Sequence, residues 1–194
     1  FLNLLLQKNP NVHLRVNTNL NNINTKVSKL IKQFENVHWL ASVESTEDYY
    51  NYIRHGGNWE EFCRNLKEIK QIKSHKVSFN MLWCILNHKE LFQCVDYLQG
   101  MGFHNNAFVI GPLYDPKYLN ILNLPGHKIS EVRSILEERI QRKPGFLLED
   151  SYTNLLRYLD TPFEKDLDGS FTELQKLDTR RKLDSRSIFT ELYD

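Results

Sequence analysis

The chain has 194 residues, 41% apolar and 12% aromatic, and 25 basic side chains set against 24 acidic ones leave a net charge of +1. That length and apolar content suit one folded domain, with or without an appendage, and exclude a disordered chain. The even charge argues against a protein held to nucleic acid by phosphate contacts, and no stretch approaches the roughly 20 apolar residues of a membrane-spanning helix.

In chain order, Phe1-Leu2-Asn3-Leu4-Leu5-Leu6 is too short for a signal-peptide core, and its surroundings read as the end of a helix. A start at Phe rather than Met points to a processed or partial chain. Val12, Leu14 and Val16 alternate with polar residues, which predicts a strand. Asn24 to Phe34 follows as a helix with Val27, Leu30, Ile31 and Phe34 on one face. Val37 to Val43 is nearly continuous in apolar residues, as a buried parallel strand requires. A short helix over Ser45 to Ile53, capped by Ser45 or Thr46, ends at Gly56-Gly57. Asn58 and Glu61 then stand in capping-box positions before Phe62, Leu66 and Ile69. Val77 to Leu86 is a third strand. Asn87 and Glu90 predict a second capping box for a helix that carries Leu91, Val95 and Leu98 and stops at Gly100. Ala107 to Ile110 is a fourth strand, closed by Gly111-Pro112.

Strands alternating with crossover helices give a parallel sheet with right-handed connections. Four of them make half of an eight-fold (β/α) barrel or part of an open α/β sheet. After Pro116 the pattern is helical only, through Ile129 to Ile140, Leu155 to Leu159, and a last helix carrying Leu174 and Leu177. The expected fold is therefore α/β: a partial (β/α) barrel of parallel strands over residues 1–115, followed by a helical C-terminal tail over 116–194. Ligands of such sheets bind at the C-terminal ends of the strands. That directs attention to Asn17 to Asn19, Ser42 to Ser45, the end of the third strand, and Gly111 to Tyr114.

Cys63, Cys84 and Cys94 are sparse and odd in number, which fits a reducing, cytoplasmic setting better than a disulfide scaffold. The seven histidines are nowhere three or four apart, so no helical metal pair exists. The chain has no phosphate loop, no G-x-S-x-G elbow and no G-x-G-x-x-G.

Several segments, taken in order, resemble the radical S-adenosylmethionine (radical SAM) enzymes with a twitch or SPASM C-terminal region. Val16-Asn17-Thr18-Asn19 is similar to the family's strand ending in Thr-Asn-Gly, with Leu20 in place of the glycine. Ala41-Ser42-Val43-Glu44-Ser45, followed by Tyr49 to Trp59 with Arg54 inside it, resembles the family's Ser-x-Asp/Glu strand end, Tyr and Ile-Arg helix and glycine turn. Val77 to Asn87 and the helix ending Leu98 to Phe103 are similar to its next strand, Asn cap and terminal glycine. Phe171 to Leu192, with Leu177 to Arg180 and Asp184, resembles the tail of phage and marine bacterial twitch-domain proteins. The resemblance spans nearly the whole chain, and its most specific block is Ser42 to Asn58.

The resemblance implies a partial barrel whose open face binds S-adenosylmethionine beside a 4Fe–4S cluster, and a 5′-deoxyadenosyl radical that attacks a substrate, a peptide in many members. It implies that Ser42 and Glu44 touch the cofactor, and that Arg54 pairs with its carboxylate. The residues themselves leave other roles open. Ser42 is a small core residue, Glu44 or Ser45 a helix cap, and Arg54 a surface partner of Glu47 or Asp48. Asn19 is a site residue or a turn former, and Asn80 points into the barrel or away from it. Asn87 is better explained as a cap.

The sequence departs from the family at the cluster. CxxxCxxC places three thiolates in one tight loop, whereas Cys63 and Cys84 are 21 positions apart and Cys94 lies 10 further on. The cluster loop and the glycine-rich cofactor segment are expected upstream of Phe1, and no later cysteine supports an auxiliary cluster. Three readings follow. The chain is the C-terminal portion of a radical SAM enzyme that acts on a peptide or small molecule and is inactive alone. It is a non-catalytic binding module derived from that fold. Or it is an unrelated α/β fragment using Glu44 and Asp115 as carboxylates.

Overall fold

A computed structural model describes residues 1–194. Four parallel strands, β1 (His13–Thr18), β2 (Asn36–Ser42), β3 (Lys76–Trp83) and β4 (Phe108–Pro112), lie side by side in the order of the sequence. Helix α1 (Leu2–Lys8) precedes β1 and α2 (Lys26–Ile31) joins it to β2. Helices α3 (Glu47–Ile53) and α4 (Trp59–Lys70) lead to β3, and α5 (Glu90–Gly100) leads to β4. The rest is helical: α6 (Gly126–Gln141), α7 (Phe146–Tyr158), α8 (Leu167–Arg181), α9 (Ser185–Ile188) and α10 (Thr190–Tyr193). The α/β class and the parallel sheet are as the alternation of patterns predicts.

The period of two along each strand gives the sheet two unlike faces. Val37, Trp39 and Ala41 of β2, Phe79, Met81 and Trp83 of β3, and Phe108 and Ile110 of β4 are all buried on one side. They share a core with Phe62, Leu66 and Ile69 of α4 and Leu91, Val95 and Leu98 of α5. The other face carries His13, Arg15 and Asn17, then His38, Leu40 and Ser42, then Lys76, Ser78, Asn80 and Leu82, then Val109. Most of these are exposed or half-buried.

Several local expectations change. Helix α2 is shorter than the predicted Asn24–Phe34. Thr25 caps it by accepting from the Ser28 N–H, and the chain turns after Ile31 so that Phe34 still reaches the core while Val27 stays in solvent. Neither Ser45 nor Thr46 caps α3 through its hydroxyl, and the Ser45 hydroxyl is buried without a partner. Asn58 does cap α4, its side chain accepting from the Glu61 N–H. Asn87 does not cap α5, which begins at Glu90; it sits in a 3₁₀ turn over Ile85–Asn87.

The tail shares the sheet's core. Leu148, Tyr152 and Leu155 of α7 pack beside β4, where the Ile110 N–H donates to the Ser151 hydroxyl, and α6 packs on α7. Arg139 of α6 grips Asp96 of α5 with two nitrogens, at 2.8 and 2.6 Å. The last turns fold back on α3, with Phe189 edge-on to both Tyr49 and Tyr52 at 4.8 and 4.9 Å.

His88 lies beneath the tail, 3% exposed. Its Nδ1 is 3.1 Å from the Ile85 carbonyl and so carries the proton, which leaves a buried Nε2 without a partner. Burial, with Lys89 and Lys128 close by, holds its pKa below the usual 6.5, against the opposing pull of the Ile85 carbonyl and a weaker one from Glu191. The unfolded chain therefore takes up this proton more readily, and stability falls as pH drops below 6.5 through the folded-state pKa. Thermal unfolding followed from pH 7.5 to 5 is expected to show this slope, and His88→Asn, which cannot ionise there, to flatten it.

Candidate functional site

The C-terminal ends of β1, β2 and β3 come together through side chains that link one strand end to the next. At the end of β1 the Thr18 hydroxyl accepts from the Leu20 N–H, and the Asn19 side chain accepts from the Asn21 N–H at 3.2 Å. Asn19 thus serves the turn, and its carbonyl and the Asn21 side-chain oxygen, 3.0 and 2.9 Å from the Tyr50 hydroxyl, share its single proton. Leu20 has φ +56°, a left-handed conformation that costs an ordinary residue about 1–2 kcal/mol. Its side chain is fully buried, which contributes about 1.5–3 kcal/mol. The Asn65 amide holds its carbonyl at 2.6 Å. A leucine is therefore tolerated where glycine would be the easier choice.

At the end of β2 the backbone stays extended, and the Val43 N–H donates to the Asn80 carbonyl of β3. Ser42 is opposite Asn80 in register and shares its face, with Val109 of β4 next in the row. Ser42 is half-buried and Asn80 exposed. The Glu44 side chain is 4% exposed and is held by Arg54, whose Nε lies 2.6 Å from Glu44 Oε2 while its Nη2 reaches Oε1. Arg54 therefore pairs with Glu44 rather than with Glu47 or Asp48. Burial pushes the Glu44 carboxyl above the usual carboxylate range, and the Arg54 guanidinium pulls it back part of the way.

Asn87 ties β2 to β3. Its amide donates to the carbonyls of Glu44 and Leu82 at 3.0 and 2.9 Å, and its side-chain oxygen accepts from the Cys84 N–H at 2.8 Å. All its bonding capacity goes into backbone, which explains full burial of a polar residue.

Ser42 and Asn80 are register partners on the open face, and the Glu44–Arg54 pair follows two residues beyond Ser42, with Asn19 in the turn after β1. The principal clefts lie elsewhere. One of about 960 Å³ opens beyond β4 between Asp115, Lys117, Asn123, Lys165 and Glu173. Asp115 is in that cleft and Glu44 is not.

A radical SAM site needs clustered thiolates and a receptor for the cofactor's amino-acid end. Cys63 is on α4, Cys84 follows β3 and Cys94 is on α5, and all three are buried and free. Burial pushes the Cys84 thiol up to about 12 and raises Cys63 and Cys94 as well, away from the thiolate that iron binds. No group of three or more His, Cys, Asp or Glu side chains is placed to hold a metal ion. The Arg54 fork, the natural carboxylate receptor, is already filled by Glu44. The residues of this chain do not fit the cluster, and at the strand ends Arg54 is not free to receive a carboxylate.

Toward the other end of the strands the register forms a row that the sequence pattern did not single out. Arg15 lies opposite His38, and His38 opposite Lys76, across β1, β2 and β3. Which strand positions align is set by the packing of crossovers, so no one-dimensional pattern carries it.

Comparison with protein-family models, with curated proteins and with solved structures gives no match for this chain.

Proposed function

We propose that this chain is a non-catalytic binding module built on a partial (β/α) barrel of the radical SAM type, which offers the open face of its sheet to a polar small molecule or peptide. One observation carries this reading. Ser42 and Asn80 are paired in register on the open face, yet the thiols are scattered and buried and Arg54 is closed on its own neighbour Glu44. All-parallel sheets ordinarily have both faces covered, so a face of half-exposed polar residues is one that a ligand or partner can cover.

Anaerobic reconstitution with ferrous iron and sulfide tests it. The expected outcome is no cluster absorbance that survives desalting, and no 5′-deoxyadenosine from S-adenosylmethionine under reducing conditions. A stable 4Fe–4S cluster on this chain that cleaves the cofactor would overturn the proposal.

A second reading, the C-terminal portion of a radical SAM enzyme whose cluster is held by residues outside this chain, is favoured by the shared face of Ser42 and Asn80 beside Glu44. The reading frame upstream of the codon for Phe1 separates the two. An open frame encoding CxxxCxxC supports the enzyme portion, and a stop codon followed by a start supports the module.

A further inference from the structure

We infer that the open face of the sheet, near the N-terminal ends of β1, β2 and β3, is a binding site for a phosphoryl group. Arg15, His38 and Lys76 stand in one register row on that face, and His13 is two residues before Arg15 on the same side. The His13 and His38 rings are stacked with their centroids 6.5 Å apart. His38 Nε2 is 2.8 Å from the Ser78 hydroxyl, one position up β3 from Lys76 on the same face. The site lies about 20 Å along the strands from Glu44, at roughly 3.3 Å per residue, and is separate from the pair that closes on Arg54.

Neither Arg15 nor Lys76 forms an ion pair with a carboxylate, and both side chains are exposed. Like charges aligned across neighbouring strands oppose each other, so the row lacks the counter-ion that would settle it. The groups facing His38 are all cationic or neutral: Arg15 and His13 from β1, Lys76 and Ser78 from β3. Burial and these neighbours hold its imidazole below the usual 6.5, in the neutral form near pH 7.

The donor set chooses among anions. Arg15 offers a planar fork, Lys76 a mobile point charge and His13 an N–H, and the His38–Ser78 pair keeps one donor free beyond its own bond until protonation of His38 adds a second. A tetrahedral phosphoryl group has enough acceptor oxygens for all of them, which a carboxylate does not. Clefts of about 190 and 350 Å³ flank Lys76, the first lined by His13 and Asn36 and the second by His38 and Ser78. There is room for the group and for what it is attached to.

Titration of the histidine ring signals by NMR at pH 7, with inorganic phosphate in one arm and a nucleoside 5′-monophosphate in the other, tests the site at ionic strength matched with chloride. The signals of His13 and His38 are expected to move saturably with phosphate, and the His38 titration midpoint to rise as the anion stabilises the imidazolium. Arg15→Gln and Lys76→Gln are each expected to weaken binding about tenfold. Both positions are exposed, so the fold should survive, which the amide spectrum verifies, and Lys29→Gln serves as a control that leaves the affinity unchanged. Tighter binding of the nucleotide than of phosphate assigns the flanking clefts to the rest of the ligand, and equal binding assigns the phosphoryl group alone. Absence of saturable movement up to about 10 mM in both arms, which excludes affinities of biological use, overturns the proposal. So does an affinity unchanged by Arg15→Gln and Lys76→Gln.

Discussion

Arg54→Ala lowers the stability of the fold by about 3 kcal/mol at pH 7, because it strands a buried carboxylate without its partner. Glu44 is the side chain at risk: it is 4% exposed, whereas Arg54 keeps 27% of its surface in water. Burial already raises the Glu44 carboxyl, and Arg54 is the main opposing influence. Without Arg54 the folded-state pKa climbs further. A raised carboxyl contributes stability below the unfolded pKa of about 4.3 and loses it as pH rises through the folded value. The variant's deficit is therefore smaller at pH 4 than at pH 7, and urea unfolding at the two pH values measures the difference. Glu44→Gln costs less, since the partly exposed guanidinium can turn to water. Combining Arg54→Met with Glu44→Leu should recover most of the loss, because an apolar pair avoids the desolvation of two ions. A deficit that is the same at both pH values would show that Glu44 does not depend on Arg54.

The other large effect is at Asp178 of α8. Its carboxylate accepts from the Tyr52 hydroxyl at 2.7 Å, and from the N–H and hydroxyl of Ser185 at 2.9 and 2.7 Å. The Ser185 hydroxyl also meets Tyr193 at 2.6 Å. Hydrogen bonds to a charged acceptor contribute about 1.5–3 kcal/mol each, though not additively. Asp178→Ala is accordingly expected to cost about 3 kcal/mol and to loosen α9 and α10 before the sheet. Phe189, seated between Tyr49 and Tyr52, would come away with them. Limited trypsin digestion reads this as faster cleavage after Arg186, and hydrogen exchange as lost protection confined to the end of the chain. Asp178→Asn keeps one acceptor oxygen and should fall between the two. Loss of protection throughout β1 to β4 would mean that the tail and the sheet unfold as one unit.

The strands were legible because period two and near-continuous apolar runs are strong local signals, and each observed strand begins within a residue or so of its predicted start. Helix ends were less so. Asn87 looks like a cap from its spacing to Glu90, yet the stronger demand came from the unpaired carbonyls of Glu44 and Leu82, which no local window contains. Glu44 and Arg54 were each singled out, but their pairing was not, because the chain between them turns through Glu47 at φ +52° before α3 brings the arginine round. The row of Arg15, His38 and Lys76 was invisible for a further reason. Alternation says which face a residue takes, and only inter-strand register says who stands beside it.

The side-by-side order of the strands also bears on how the chain reaches this state. Each strand joins the one made just before it, so the sheet can be extended stepwise during synthesis with short loop closures. The reach of the tail is different in kind: Tyr52 and Asp178 are 126 positions apart. Closing that link must wait until α8 has been made, which places the seating of the tail after the sheet and makes its undocking the first step on the way back.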